Sequence, residues 1–543
     1  MIRMLCAASM IALTACGEAE KTATWEVTEF IGPSPFHGIH GLAVEDDGTI
    51  LAGSVVGQAI YAVNPHTGEV TTRIGPPDGM ADDIALGPNG VMAWTGYLTG
   101  KVFIQDKGGQ PRMISSGLPG SNSLAFTPDG RLYFTQVFLA DALYEADVTG
   151  ANPARLIRKD LGGFNGFEVG PDGALYGPLW FRNAIARIDP ATGAETIVAD
   201  GFQIPAAANF GPDGSLYAID TRTGELKRID MTTRAVTVVA TLPPALDNLA
   251  VAKDGTIYVS NMADAAIHEV KPDGAVRTVV SGSLAMPADL AITDGPEGEK
   301  LHIADTFAYR IVDTATKAIT DPLRMQRDEA EYPLGVGAGA SKVLLTSWAG
   351  GTVQVIDRAT GAAVLHHGYA APTDALELAD GRLIALEAAT GAIRLLGEGD
   401  TPGEQLAAGL AFPVAMAEAS GDKLYVTETN PGPDAAAGRL ALVDLTTGEI
   451  SRVLEGLASP EGLDVGADGK VYVAEAGAGR VIAFDPQDSS KSVIAEGLKT
   501  GLPTAEGTLP AYVTTGVAVS KRDGSVYVAS DLTNAIYRIA PQK

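Results

Sequence analysis

The stretch Gly166–Pro178, GFEVGPDGALYGP, carries the phrase on which the fold turns: a short apolar run, an Asp-Gly turn, then a β-rich run. It returns as GLAVEDDGTILAG over Gly41–Gly53 and as GLDVGADGKVYVAEA over Gly462–Ala476. Twelve such phrases begin near residues 41, 82, 123, 166, 208, 248, 289, 335, 375, 415, 462 and 516. The spacing of roughly 40 residues is the period at which four-stranded propeller blades are laid down. Within a phrase the strands alternate with period two, as in Thr256-Ile257-Tyr258-Val259, and Asp-Gly supplies the positive φ of a tight hairpin. A fourth strand follows, for example Glu69 to Ile74 or Glu195 to Val198. Propellers close with about four to eight blades. Twelve repeats therefore predict an all-β chain of two tandem six-bladed β-propellers.

Strand counting predicts how each ring closes. The last repeat stops after its third strand, Ala535 to Ala540, and an extra strand, Thr24 to Ile31, precedes the first repeat. The economical assignment gives that extra strand to repeat six and leaves Ala275 to Ser281 to complete repeat twelve. The domains expected are then a signal segment 1–15, a first propeller 16–272 with the candidate active site, and a second propeller 273–543. A competing count places the boundary near 281–286 and closes the rings less economically.

With 543 residues, 46% of them hydrophobic, the chain can bury large cores and exceeds one ordinary domain. A net charge of -27 argues against nucleic acid, which would be repelled. Met1-Ile2-Arg3 and the largely apolar Met4 to Leu13 read as a secretory signal, too short to span as a permanent helix. Leu13-Thr14-Ala15-Cys16 resembles the bacterial lipobox, in which the Cys becomes the lipidated first residue. The expectation is an exported protein whose only membrane attachment is a lipid on Cys16. Gly17-Glu18, without Asp at the second mature position, resembles sorting to the periplasmic face of the outer membrane. Cys6 would leave with the signal, so folding relies on packing and not on disulfides.

In a propeller blade the residue just before the innermost strand lies nearest the axis. Aligned on the Asp-Gly turns, that position holds His40, Asp82, Asn122, Asn165, Ala206 and Asp247 in ring one. In ring two it holds Ala288, Leu334, Asp374, Val414, Glu461 and Thr515, half of them apolar. Two carboxylates, two amides and an imidazole on one axis suit a hard cation, and oxygen donors of this kind suit Ca²⁺. The same polar residues would equally serve to hydrate a channel and hold loop backbone.

Asn122, Asn165 and Asp247-Asn248, on repeats with the GxxxxDG phrasing, resemble the SMP-30/gluconolactonase/paraoxonase group of six-bladed, calcium-dependent propellers. The resemblance implies a divalent cation, Ca²⁺ first with Mg²⁺ or Zn²⁺ as alternatives, held by Asn122, Asn165 and Asp247. His40 stands where the group has its first-blade acid, and Asp82 is the nearby replacement. The repeat phrasing is shared with NHL-type propellers and the streptogramin lyase group.

A bound cation would polarise an ester or lactone carbonyl, with His40 as the base and Asp82 and Asp247 as the carboxylates beside it. Tyr97, Phe138, Trp180 and Arg182, on loops of the same face, together with Asn248, are the expected substrate contacts, and favour a bulky small molecule. His37 reads as rim, and His366-His367 as solvated surface. The function expected is metal-dependent hydrolysis of a lactone or ester. The alternatives are a metal-assisted lyase at the same site and a non-enzymatic envelope scaffold. No Gly-x-Ser-x-Gly elbow, P-loop or paired CxxC occurs in the sequence.

Overall fold

The computed structural model describes residues 24–429 and 435–542. The expected signal segment and Cys16 lie outside the described residues. The strands form twelve four-stranded sheets, numbered here 1 to 12 by the order of their innermost strands. Sheet 4 shows how the sequence builds one. Asp172 accepts the Ala174 amide at 3.2 Å and Gly173 takes φ +76°, closing the hairpin between Glu168–Val169 and Leu175–Leu179. Ala184–Ile188 and Glu195–Ala199 complete the sheet outward. Among the described residues there is no α-helix, and no helix is long and apolar enough to cross a membrane.

The cores are layers between neighbouring sheets. Leu51, Ile60, Ile84 and Trp94 fill the gap between sheets 1 and 2, and Ile219, Leu226, Leu249 and Val259 the gap between 5 and 6. Tyr61, Ala250, Tyr258 and Ile267 fill the gap between sheets 6 and 1 in the same way. Leu290, Leu301, Ala518 and Tyr527 do so between sheets 7 and 12. Sheets 1 to 6 thus return on themselves, and so do sheets 7 to 12.

The strand exchange expected from counting does not occur. Trp25–Ile31 pairs with Ala535–Pro541 and completes sheet 12, with Val27 opposite Ile539. Val276–Val280 pairs with Ala266–Val270 and completes sheet 6. The reason is local. Between those two strands the Gly274 amide donates to the Lys271 carbonyl at 2.8 Å, and Asp273 accepts the Ala275 amide at 3.0 Å. A turn with its polar groups satisfied keeps its two strands together. The expected break at 272/273 therefore falls inside sheet 6. The first strand is also anchored by its aromatics, Trp25 edge-on to Tyr472 at 6.1 Å and Phe30 edge-on to Tyr527 at 5.0 Å.

Near each axis two kinds of hydrogen bond tie a sheet to the next. A hydroxyl on the second strand donates to the axial carbonyl of the following sheet: Thr95 to Asn122 at 2.5 Å, Ser260 to His40 at 2.6 Å and Thr427 to Glu461 at 2.5 Å. A carboxylate on the innermost strand accepts its own neighbour's amide and one from the next sheet. Asp83 takes Ile84 and Leu124, Asp289 takes Leu290 and Val336, and Asp374 takes Ala375 and Met416. Asp374 therefore belongs one register position past the axial residue, with Asp83 and Asp289. The axial residue of its sheet is Thr373.

These carboxyls are buried, and burial disfavours their charge. Glu168, which accepts the Phe210 amide at 2.5 Å, is pushed by burial from 4.5 to about 7. A carboxyl that titrates higher folded than unfolded contributes nothing below the unfolded value and costs stability as pH rises through the folded one. Glu168→Gln keeps an oxygen for the Phe210 amide. Between pH 4 and 8 the native protein should lose about 1–3 kcal/mol more than this variant, a partly exposed group giving less than the full shift. Denaturant titrations of the two proteins at both pH values measure the difference.

Candidate functional site

The axial residues of ring one sit where six innermost strands begin, and close backbone approach shapes their surroundings. A Cβ on Gly41 would lie 2.5 Å from the Asp82 carbonyl oxygen. Glycine there leaves a gap over sheet 1, and Asn248 of sheet 6 reaches across it to donate to Asp83 of sheet 2 at 3.0 Å. Asn248 Oδ1 accepts the Leu249 amide at 2.7 Å, so both ends of the side chain are engaged in holding sheets together. It ties sheet to sheet, where a substrate contact was expected.

In the layer above, His40, Asp82 and Asp247 converge. One potential ligand atom from each lies within 4.8 Å of the others. His40 Nδ1 stands 3.3 Å from Asp247 Oδ2 and 3.8 Å from Asp82 Oδ1. Burial alone would lower the His40 pKa, but Asp247 by charge and hydrogen bond, with Asp82 behind it, raises it above 6.5. Asp82 is pushed up to about 7 by burial first, with Asp247 adding and His40 and Asn122 opposing. Two carboxylates and one imidazole in dry surroundings hold excess negative charge unless a proton or a cation offsets it.

Asn122 and Asn165 continue the ring from Asp82. Asn122 Nδ2 donates to Asp82 Oδ2 at 2.6 Å. The Ser123 hydroxyl faces both amide oxygens, Asn122 Oδ1 at 2.8 Å and Asn165 Oδ1 at 3.0 Å, and the Gly166 amide is shared between Ser123 Oγ at 2.7 Å and Asn165 Oδ1 at 3.0 Å. One hydroxyl proton serves one oxygen at a time, so the set retains acceptor capacity. Oxygen donors in excess of local protons fit a hard divalent cation.

The expected walls divide. Tyr97 packs against Val55 and Met80, and its hydroxyl pKa is raised by burial first, then by Tyr332, Asp82 and Asp247. Trp180 shares a buried cluster with Ala206, the axial residue of sheet 5, and Phe138 meets it edge-on at 5.1 Å. Arg182 is turned away. It pairs with Glu195 on the outermost strand at 2.8 Å and donates to the Leu161 carbonyl at 3.2 Å, so the structure does not bring it to the axis. His37 is no rim residue either. It lies between the rings, against Tyr61 Oη at 3.1 Å and the Asp531 carbonyl at 2.9 Å, and burial lowers its pKa to about 4. In ring two Glu461 accepts the Thr515 amide at 2.6 Å and stands without a second axial acid.

Sequence reading missed Phe307 and Tyr332. Phe307 is edge-on to His40 at 5.7 Å and to Tyr332 at 6.1 Å. Both belong to loops of sheets 7 and 8, and nothing local in the sequence ties them to sheet 1. Only the packing of one ring on the other does.

Residues 176–307 match the family model described as SMP-30/Gluconolactonase/LRE-like region. The match runs from sheet 4 into sheet 7. No curated protein matches the chain. Among solved structures, a streptogramin B lyase is 19% identical, with 52% of this chain and 94% of that chain covered and a TM-score of 0.38. A gluconolactonase of Xanthomonas campestris is 16% identical, with 51% and 94% covered and a TM-score of 0.34. The extracellular domain of a protein assigned as a one component system of B. thetaiotaomicron is 12% identical, with 93% and 76% covered and a TM-score of 0.33.

If Asp247 is what lifts His40, Asp247→Asn removes the largest raising cause and leaves burial in charge. The imidazole should then titrate below its value in the unaltered protein. Nitrogen-detected histidine NMR over pH 4 to 9 reads this directly; an unchanged titration would exclude the pairing.

Proposed function

We propose, for a chain whose residues 176–307 match the SMP-30/gluconolactonase/LRE-like region, that ring one hydrolyses a lactone or ester of a small organic molecule. The observation that carries this reading is the convergence of His40, Asp82 and Asp247 within 4.8 Å on the axis. Asp82 and Asp247, with the amide oxygens of Asn122 and Asn165, are the proposed ligands of a divalent cation, Ca²⁺ in the first place because every donor is oxygen. Bound there, it would polarise the carbonyl and stabilise the oxyanion.

The chain's own residues do the rest. His40 Nδ1–H donates to Asp247, which orients the ring and leaves Nε2 as the basic nitrogen. Nε2 takes a proton from water as its oxygen bonds to the carbonyl carbon. The carbon–oxygen bond of the lactone or ester then breaks, and His40 returns the proton to the departing alkoxide. Export with a lipid on Cys16 is part of the same proposal and rests on the Leu13-Thr14-Ala15-Cys16 phrase.

Ca²⁺ should raise the melting temperature, and chelation should lower it, because a ligand of the native state stabilises it. Asp82→Asn should weaken Ca²⁺ binding by about tenfold or more in calorimetry, losing a charged ligand. His40→Gln should keep Ca²⁺ affinity and lose about a hundredfold or more in turnover of a reactive lactone, the loss expected for a missing general base. Loss of Ca²⁺ binding in His40→Gln would make the imidazole a ligand and overturn its role as base. ¹⁸O from labelled water should enter the acid product; a product without it would mark elimination instead of hydrolysis.

A further inference from the structure

The two rings meet through the loops around the candidate site, and the meeting is extensive. Arg324, on the outermost strand of sheet 7, pairs with Asp264 of sheet 6 at 2.7 and 3.0 Å and donates to the Pro244 carbonyl at 3.1 Å. Arg310 donates to the Ala263 carbonyl. On the other side, Gln58 Nε2 donates to the Pro503 carbonyl at 2.5 Å and to Tyr512 Oη at 3.1 Å, while Tyr512 donates to the Val56 carbonyl. Lys101 pairs with Glu506 at 2.7 Å, and Ala505 packs with Val55 and Met80. These contacts engage sheets 1, 2 and 6 of ring one.

Between the two sets of contacts, ring two presents Phe307 and Tyr332 to the axis of ring one. Phe307 is fully buried, and its ring leaves no room for a Cβ on Gly38. Tyr332 keeps 38% of its surface exposed, unlike a residue used only as packing. Its ring lies edge-on to Phe307 at 6.1 Å, and Phe307 in turn lies edge-on to His40 at 5.7 Å. Tyr97, packed against Val55 and Met80, approaches from ring one. Beyond it, on sheets 3 and 4, Phe138, Leu139 and Phe181 are 45%, 57% and 56% exposed. Phe138 holds φ +68°, a costly conformation for a side chain of this kind, with its ring edge-on to Trp180 and Phe181.

We propose that the site is composite: ring two supplies its far wall, and Tyr332, backed by Phe307 and facing Tyr97, determines specificity by selecting ligands that carry a flat apolar ring beside the carbonyl. This rests on the reading of ring one as a lactone or ester site. Aromatic side chains reward such a ring by edge and face contacts and by the area they cover. A polar sugar lactone would gain little from them.

The test uses a matched pair of five-membered lactones, phthalide and γ-butyrolactone, which differ only by the fused benzene ring. Binding to the full chain in Ca²⁺ is measured by calorimetry, and turnover separately by product release. The unaltered protein should bind phthalide about tenfold or more tightly than γ-butyrolactone, and Tyr332→Ala should cut that preference to about threefold or less. Tyr332→Phe should retain it, since the ring and not the hydroxyl makes the selection. The change should fall mainly on phthalide affinity, and the melting temperatures of the three proteins report that each is folded. If Tyr332→Ala unfolds, Tyr332→Leu answers the same question. No preference in the unaltered protein, or one that survives Tyr332→Ala, overturns the composite site. Selective binding without turnover would instead remove the hydrolase reading and leave the aromatic wall standing.

Discussion

A hydroxyl on the second strand of one sheet, donating to the axial carbonyl of the next, is the contact on which the rest of the structure depends. Ser260 does this for His40, and Thr95 for Asn122. It acts where two sheets are closest and where a displaced backbone would carry a functional side chain with it. Apolar layers between sheets supply the bulk of the stability but no direction, since burial rewards area alone. The hydroxyl bonds supply the direction. They hold the backbone from which His40 and Asn122 project, and the Gly41 amide, donating to the Asp82 carbonyl at 2.6 Å, does the same for Asp82.

Beneath those bonds lies a layer of carboxylates and amides that accept or give hydrogen bonds across the same gaps. Its residues share a chemistry with the site above: Asp83 next to Asp82, Asn248 next to Asp247. Their tasks differ because their geometry differs. Asp83 has backbone amides on both oxygens and a donated bond from Asn248, so three of its about four acceptor sites are taken. Asp82 has one amide donor and a histidine that shares its proton with a second acid. An acceptor held by backbone on both oxygens is structural, and a sparsely satisfied one in dry surroundings is where chemistry is to be sought.

The repeat was legible because its signals are local: an Asp-Gly turn and a period-two run need only neighbours to act. The axial column was legible for the same reason, being a fixed offset from that turn, and it placed His40, Asp82 and Asp247 together correctly. Register was harder. Asp374 looked axial until its two amide partners put it one position on, where a step of one residue changes which layer a side chain enters. Closure was misread because either of two β-rich segments satisfies a count, and only the tight turn at 271–275 says which pairing is kept. Arg182 was misplaced because its partner, Glu195, lies outward on the same sheet and the sequence shows no direction. Phe307 and Tyr332 belong to a part of the chain that nothing short of tertiary packing brings to sheet 1.

The strand Trp25–Ile31 precedes sheet 1 in the chain yet is built into sheet 12. Ring one is therefore spliced into ring two, both of its ends leading back to the same neighbour. As the chain emerges during synthesis, that strand has no partner until the last sheet is made. Ring one has all its own strands long before then and is free to shut first. The waiting strand is an unpaired edge with Trp25, Phe30 and Ile31 on it, the kind of segment that invites wrong pairing. Its pairing with Ala535–Pro541 is a clasp that joins the lead into ring one to ring two, and sheet 12 cannot be completed before those residues have been made.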